Sequence, residues 1–131
     1  MPLTTYGRQK LGDHSIGKTA FTMPSVFAGL FTASPGDAGS QASEFTGGSY
    51  ARQALTASFG NFDATGVASL ASDVLFPTPT ADWGTLAYVG ILDAVSAGNM
   101  IYYDAVPVAR PVVNGGRRVT LRAGLFRVAM V

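Results

Sequence analysis

Residues Gly12-Asp13-His14-Ser15-Ile16-Gly17-Lys18-Thr19 fit the spacing G-x-x-x-x-G-K-[ST] of a phosphate-cradling loop. In such a loop backbone amides and a lysine hold phosphates while a hydroxyl holds magnesium. A second magnesium ligand is on offer in Tyr88-Val89-Gly90-Ile91-Leu92-Asp93, an apolar run ending in aspartate. The surroundings oppose nucleotide chemistry. A phosphate loop follows a buried parallel strand and opens a helix, yet residues 3–11 are polar and Pro24 arrives soon after Thr19. A nucleotide site is therefore the least supported reading.

The other reactive side chains are scattered. His14 is the only histidine, so a multi-histidine metal site is excluded and any Ser-His-Asp triad would have to use this residue. Asp82, Asp93 and Asp104 recur at a fixed interval and could offer oxygen ligands to calcium. No Asp-x-Asp-x-Asp-Gly loop occurs, and isolated loop aspartates are expected to form Asx turns. Nothing locates a carboxylate pair for glycoside hydrolysis. Trp83, Tyr88, Tyr102 and Tyr103 could stack on a sugar or base, although strand aromatics more commonly fill a core on one side and an interface on the other. No catalytic residue, cofactor or metal site is expected.

The frame carrying these residues is 131 residues long, which predicts one domain over 1–131. Hydrophobic residues make up 47% and charged residues only 13%, about half of the ~25% usual in soluble proteins. A small charge-poor domain presents either a neutral surface or one covered by neighbours. The charges are sorted along the chain: residues 1–18 carry +2, residues 19–109 carry −6, and the remainder carries +5 through Arg110, Arg117, Arg118, Arg122 and Arg127. Cross-strand pairing within the domain accounts for this sorting, or else a polarised subunit docks on copies of itself or on an acidic scaffold. The net charge of +1 argues against specific nucleic-acid binding. Cysteine is absent, so disulfides and thiolate metal sites are excluded. The sequence offers neither a signal-peptide pattern nor an apolar run of membrane-spanning length, so no membrane contact is expected.

Thr4 or Thr5 is expected to cap a short helix reaching about His14 within an N-terminal helical segment, 1–18. The rest, 19–131, reads as strands. Residues 25–33 place Val26, Phe27, Leu30 and Phe31 on both faces, which predicts a strand buried on both sides or facing a partner. The polar, glycine-rich stretch 34–48 reads as a long surface loop. Further strands are predicted over 50–58, 67–76, 85–92, 100–108 and 117–130, separated by glycine, proline and asparagine turns. In the last of these the apolar phase shifts by one at Gly124, as a β-bulge would produce. The fold class is mainly β: an antiparallel β-sandwich or jelly-roll-like domain with a short N-terminal helix.

The segments 4–11, 17–24, 29–33 with Pro35-Gly36-Asp37, and 47–53 resemble a family of small structural proteins of tailed bacteriophages. Phe76-Pro77, Thr80-Ala81-Asp82-Trp83-Gly84-Thr85, Gly90-Ile91 and Asn99-Met100-Ile101-Tyr102-Tyr103 follow in the same order in that family, whose members are commonly labelled tail-fibre or virion proteins. In its pattern Gly12 stands at an ordinary helix position. The resemblance implies a virion component, made in the bacterial host cytoplasm, with no catalytic residues to carry over.

The chain has neither the heptads nor the repeats of a fibre shaft. The leading expectation is thus a capsid decoration or cement protein that forms a homo-oligomer, such as a trimer, and clamps the major capsid protein. The alternative is a tail or tail-fibre module that contacts the host surface or other tail proteins. Tyr50, Arg52 and Trp83, which lie in the densest parts of the resemblance, are candidate interface residues. So are Arg117 and Arg118, which follow the Asn114-Gly115-Gly116 turn and are expected to face solvent.

Overall fold

The computed structural model describes residues 1–129. Thr4 starts the one α-helix among the described residues, α1 (Thr5–Ser15), by accepting the Gly7 N–H on its hydroxyl at 3.1 Å. Gly17 ends it. With φ +76 it occupies the left-handed conformation, while the Lys18 N–H bonds the Asp13 carbonyl and the Gly17 N–H bonds that of His14. This is the paired closure of a Schellman motif.

The strands are β1 (Phe27–Phe31), β2 (Gln53–Ala54), β3 (Val67–Ser69), β4 (Val74–Leu75), β5 (Gly84–Leu92), β6 (Met100–Val112), β7 (Thr120–Leu121) and β8 (Arg127–Ala129). A four-stranded sheet has the order β2-β1-β5-β6, and two short pairs, β3-β8 and β4-β7, stand apart from it. All pairings are antiparallel. The chain is mainly β with a short N-terminal helix, as its alternating pattern predicts.

The sheet is covered on both faces. Ala28, Leu30, Val89 and Ile91 belong to one buried cluster with Leu70, Val74, Leu121 and Val128 from the short pairs. On the opposite face Phe31, Leu92 and Met100 form a second cluster, joined by Tyr88 and Tyr103. Segment 34–48 lies across this second face. A Cβ on Gly39 would stand 3.1 Å from that of Met100, and one on Gly29 would stand 3.1 Å from the Glu44 carboxylate. The double-sided apolar pattern of β1 is thus satisfied within the chain, and the 34–48 segment is more than a surface loop because it sends Phe45 into the core.

Four strand expectations are revised. The 50–58 segment pairs only at Gln53–Ala54 and then turns into a 3-10 helix, Thr56–Ser58, held where Leu55 N–H meets the Val26 carbonyl. The 67–76 and 117–130 segments each divide in two; Met130 lies outside the described residues. Residues 70–73 stand opposite 122–126, four against five, so the one-residue phase shift at Gly124 is real. It takes the form of a turn with Gly124 at φ +78, pinned by Ala123 N–H on the Asp73 carboxylate, rather than a simple bulge. Finally, β6 runs on past Val108 to Val112. Its register passes from Tyr88↔Ala105 to Leu86↔Arg110, leaving residues 106–109 bulged opposite Ala87 alone.

Candidate functional site

Tyr50, Arg52 and Trp83 come together, but inside the protein. Arg52 is only 7% exposed and Trp83 6%. The Arg52 guanidinium bonds Glu44 through Nε and Nη2, the Gln41 amide oxygen through Nη2 at 2.8 Å, and the carbonyls of Ala94 and Ala97 through Nη1. A buried charge survives only if paired and fully bonded, and this one is. Its pairing with Glu44 raises the already high pKa, against the opposing pull of burial. The Tyr50 hydroxyl donates to Glu44 at 2.7 Å and accepts the Leu30 N–H at 3.0 Å, and burial first, then Glu44, pushes its pKa far above the ordinary tyrosine value. Trp83 Nε1 donates to the Gly48 carbonyl at 2.8 Å, and its ring meets Tyr50 edge-on. These residues fasten the 34–48 segment and the β5–β6 connection to the sheet. Glu44, the partner on which the cluster turns, is the chain's single glutamate, the one sequence signal that marks it.

Arg117 and Arg118 are exposed as expected, and Arg118 Nε also donates to the Phe76 carbonyl at 2.8 Å. They do not join the Tyr50 cluster. A groove of about 440 Å³ runs between the β6 bulge and the 122–126 turn, with Leu86, Val89, Val119 and Leu121 among its lining residues. Val108 and Leu125 stand on its lips, 78% and 72% exposed, and Arg110, Arg122 and Arg127 also line it. Composition does not reveal this groove: the phase shift at Gly124 marks the turn, but no local pattern marks the bulge or shows that the two lie together.

The charge sorting has a structural basis. Asp63, Asp73, Asp82 and Asp93 each accept a backbone N–H from a turn or loop, at Thr65, Ala123, Asn114 and Asn99 respectively, while Asp104, within β6, accepts that of its neighbour Ala105. Asp37 takes the Tyr103 hydroxyl and Arg8, and Glu44 takes Tyr50 and Arg52. Six of the eight acids therefore fasten the chain's own loops. Arg110, Arg117, Arg122 and Arg127 form no ion pair among the described residues.

The phosphate-loop string straddles the C-terminus of α1. Its amides at Ile16, Gly17 and Lys18 turn back onto helix carbonyls, and His14 Nδ1 accepts the Phe21 N–H, so the amides of a phosphate cradle are already committed. Among the described residues, no three His, Cys, Asp or Glu side chains gather at metal-binding distance, and no helix is long and apolar enough to cross a membrane. Trp83 and Tyr102 pack with the first cluster and Tyr88 and Tyr103 with the second, so the aromatics do not form one platform.

No curated protein matches the chain. The family model described as Podophage GP4 fiber I protein gp80 matches residues 2–128. With nearly its whole length matched, including the capped helix, the sheet and the arginine-lined groove, the chain belongs to the Podophage GP4 fiber I protein gp80 family of phage virion structural proteins.

Proposed function

We propose that this chain is a non-enzymatic module of a podophage tail-fibre assembly that joins other proteins of the same virion through its basic face. The family match over residues 2–128 carries this reading, since the family is described as a fibre protein. The geometry supports it in kind. Acids consumed by internal turns leave unpaired arginines on the outside, and a surface of one sign favours a partner of the other. Without shaft-like repeats, the chain serves as a joint in the fibre and not as its rod. This places the tail-fibre alternative ahead of the capsid-decoration role expected from the sequence. Self-association, as a trimer for example, is part of the proposal, with joint positions repeated around the tail.

Cryo-electron microscopy of virions, with gold-labelled antibody against the chain, tests it. Density and label at the tail fibres are expected. Label on the head lattice, together with stoichiometric binding that raises the melting temperature of expanded empty capsids, would overturn it in favour of decoration.

A further inference from the structure

We infer that the groove between the β6 bulge and the 122–126 turn receives an extended segment of another virion protein in which apolar side chains alternate with carboxylates. The inference rests on the fibre-module reading and names the partner's chemistry. Two features of the groove call for a single ligand. Its lips, Val108 and Leu125, are large apolar side chains left in water above a lining of Leu86, Val89 and Val119. Among the same lining residues are Arg110, Arg122 and Arg127, none with an ionic partner among the described residues. The one carboxylate of the lining, Asp104, already accepts the Ala105 N–H and faces the Met1 amine at 3.9 Å. An extended segment sends successive side chains to opposite sides, so an alternating sequence delivers apolar groups to the floor and carboxylates to the arginines.

Main-chain pairing is not the means of recognition. Pro107 and Pro111 lack the N–H that a strand added along β6 would need. Side chains must therefore supply both affinity and specificity. A second copy of the chain is a poor occupant because six of its eight acids are held in its own loops and turns. Nucleic acid would satisfy the arginines and leave Val108 and Leu125 in water.

The test places a photo-crosslinker in the groove of the chain as it sits in assembled virions, through Leu125→p-benzoylphenylalanine, with Leu125→Ser as a control that the exposed position tolerates change. After irradiation of purified particles, mass spectrometry is expected to find position 125 joined to a different virion protein, within a stretch that alternates apolar and acidic residues. Arg110→Glu combined with Arg122→Glu is expected to lower incorporation about tenfold while the isolated chain melts as the parent does. Cross-links to a second copy or to DNA, to a stretch without acids, or none at all from incorporated chains would overturn the inference and leave the fibre reading intact. Absence of the chain from purified tails would instead overturn the fibre reading itself.

Discussion

Arg52 grips Glu44 with two nitrogens, Nε and Nη2 each lying 2.7 Å from a different oxygen of the carboxylate. Removing one partner of a buried pair leaves the other uncompensated, at a cost of about 3–5 kcal/mol. Arg52→Ala should lower the free energy of unfolding by that order in urea titrations. Arg52→Lys should recover little, since one ammonium cannot serve Glu44, Gln41 and two carbonyls from a planar fork. If Arg52→Ala unfolds at the parental urea midpoint, the pair does not hold the loops.

Gly7 and Gly12 lie in the same helix and should respond oppositely to alanine. A Cβ on Gly7 would lie 2.6 Å from the Ile101 carbonyl oxygen, so Gly7→Ala forces α1 away from β6 despite alanine's better helix propensity. At Gly12 nothing lies within 4 Å, so Gly12→Ala should stabilise by about 0.5–1 kcal/mol. Thermal melts of the two variants decide it. A matching gain at Gly7 would mean that the helix does not pack this closely.

Trp83→Ala should cost about 3–5 kcal/mol, because the indole fills the core beside Phe45 and Tyr50. Trp83→Phe keeps most of the volume and loses the bond to the Gly48 carbonyl, about 1 kcal/mol plus any cavity. Denaturant unfolding followed by circular dichroism checks both. An unaffected fold with lost particle binding would return Trp83 to the surface role its sequence position suggests.

Arg117→Glu with Arg118→Glu should reduce virion incorporation if the basic face docks on an acidic neighbour, and the effect should weaken in high salt. Arg118→Ala alone loses a bond to the Phe76 carbonyl, so its melting temperature must be measured beside its incorporation. Unchanged occupancy of the double reversal rejects docking through this part of the surface.

Acid should loosen particular loops. The Thr65 hydroxyl first, and the Val67 N–H next, hold the Asp63 carboxyl below the usual carboxylate range; the Tyr103 hydroxyl and then Arg8 do the same for Asp37. A carboxyl depressed in the folded state stabilises above its unfolded value of about 3.9 and loses that contribution as pH falls through the folded value. Amide protection factors near Thr65 and Tyr103, taken against the intrinsic exchange rate at each pH, should therefore fall below about pH 4. Protection factors unchanged from pH 6 to ~2 would contradict the assignment.

What could be read in advance follows local periodicity. Thr4 announces the helix because a hydroxyl ahead of it can accept an orphan N–H, and Gly124 betrays a phase shift because strand side chains repeat every second residue. The charge sums anticipate the unpaired arginines. Burial of the Arg52 cluster has no such signature: Gln41, Glu44, Ala94 and Ala97 converge from segments that share no period. The full length of β6 is hidden by Pro107 and Pro111, which read as strand breakers but are tolerated on an edge strand beside a bulge. The groove escapes notice for the same reason, as tertiary proximity alone brings residues 106–109 near 122–126.

The early residues are closed by late ones. The Thr4 N–H meets the Ile101 carbonyl, the Tyr103 N–H meets that of Pro2, and Leu30 pairs with Val89. During synthesis β1 must therefore wait for β5 to leave the ribosome, on the order of 3–12 s at translation rates of about 5–20 residues per second. Through that interval both apolar faces of β1 lack their cover, and contacts so distant along the chain form slowly even afterwards. Nascent chains stalled before residue 100 should thus bind chaperones or aggregate, and the yield of folded chain should depend on this waiting time as well as on the stability of the finished sheet.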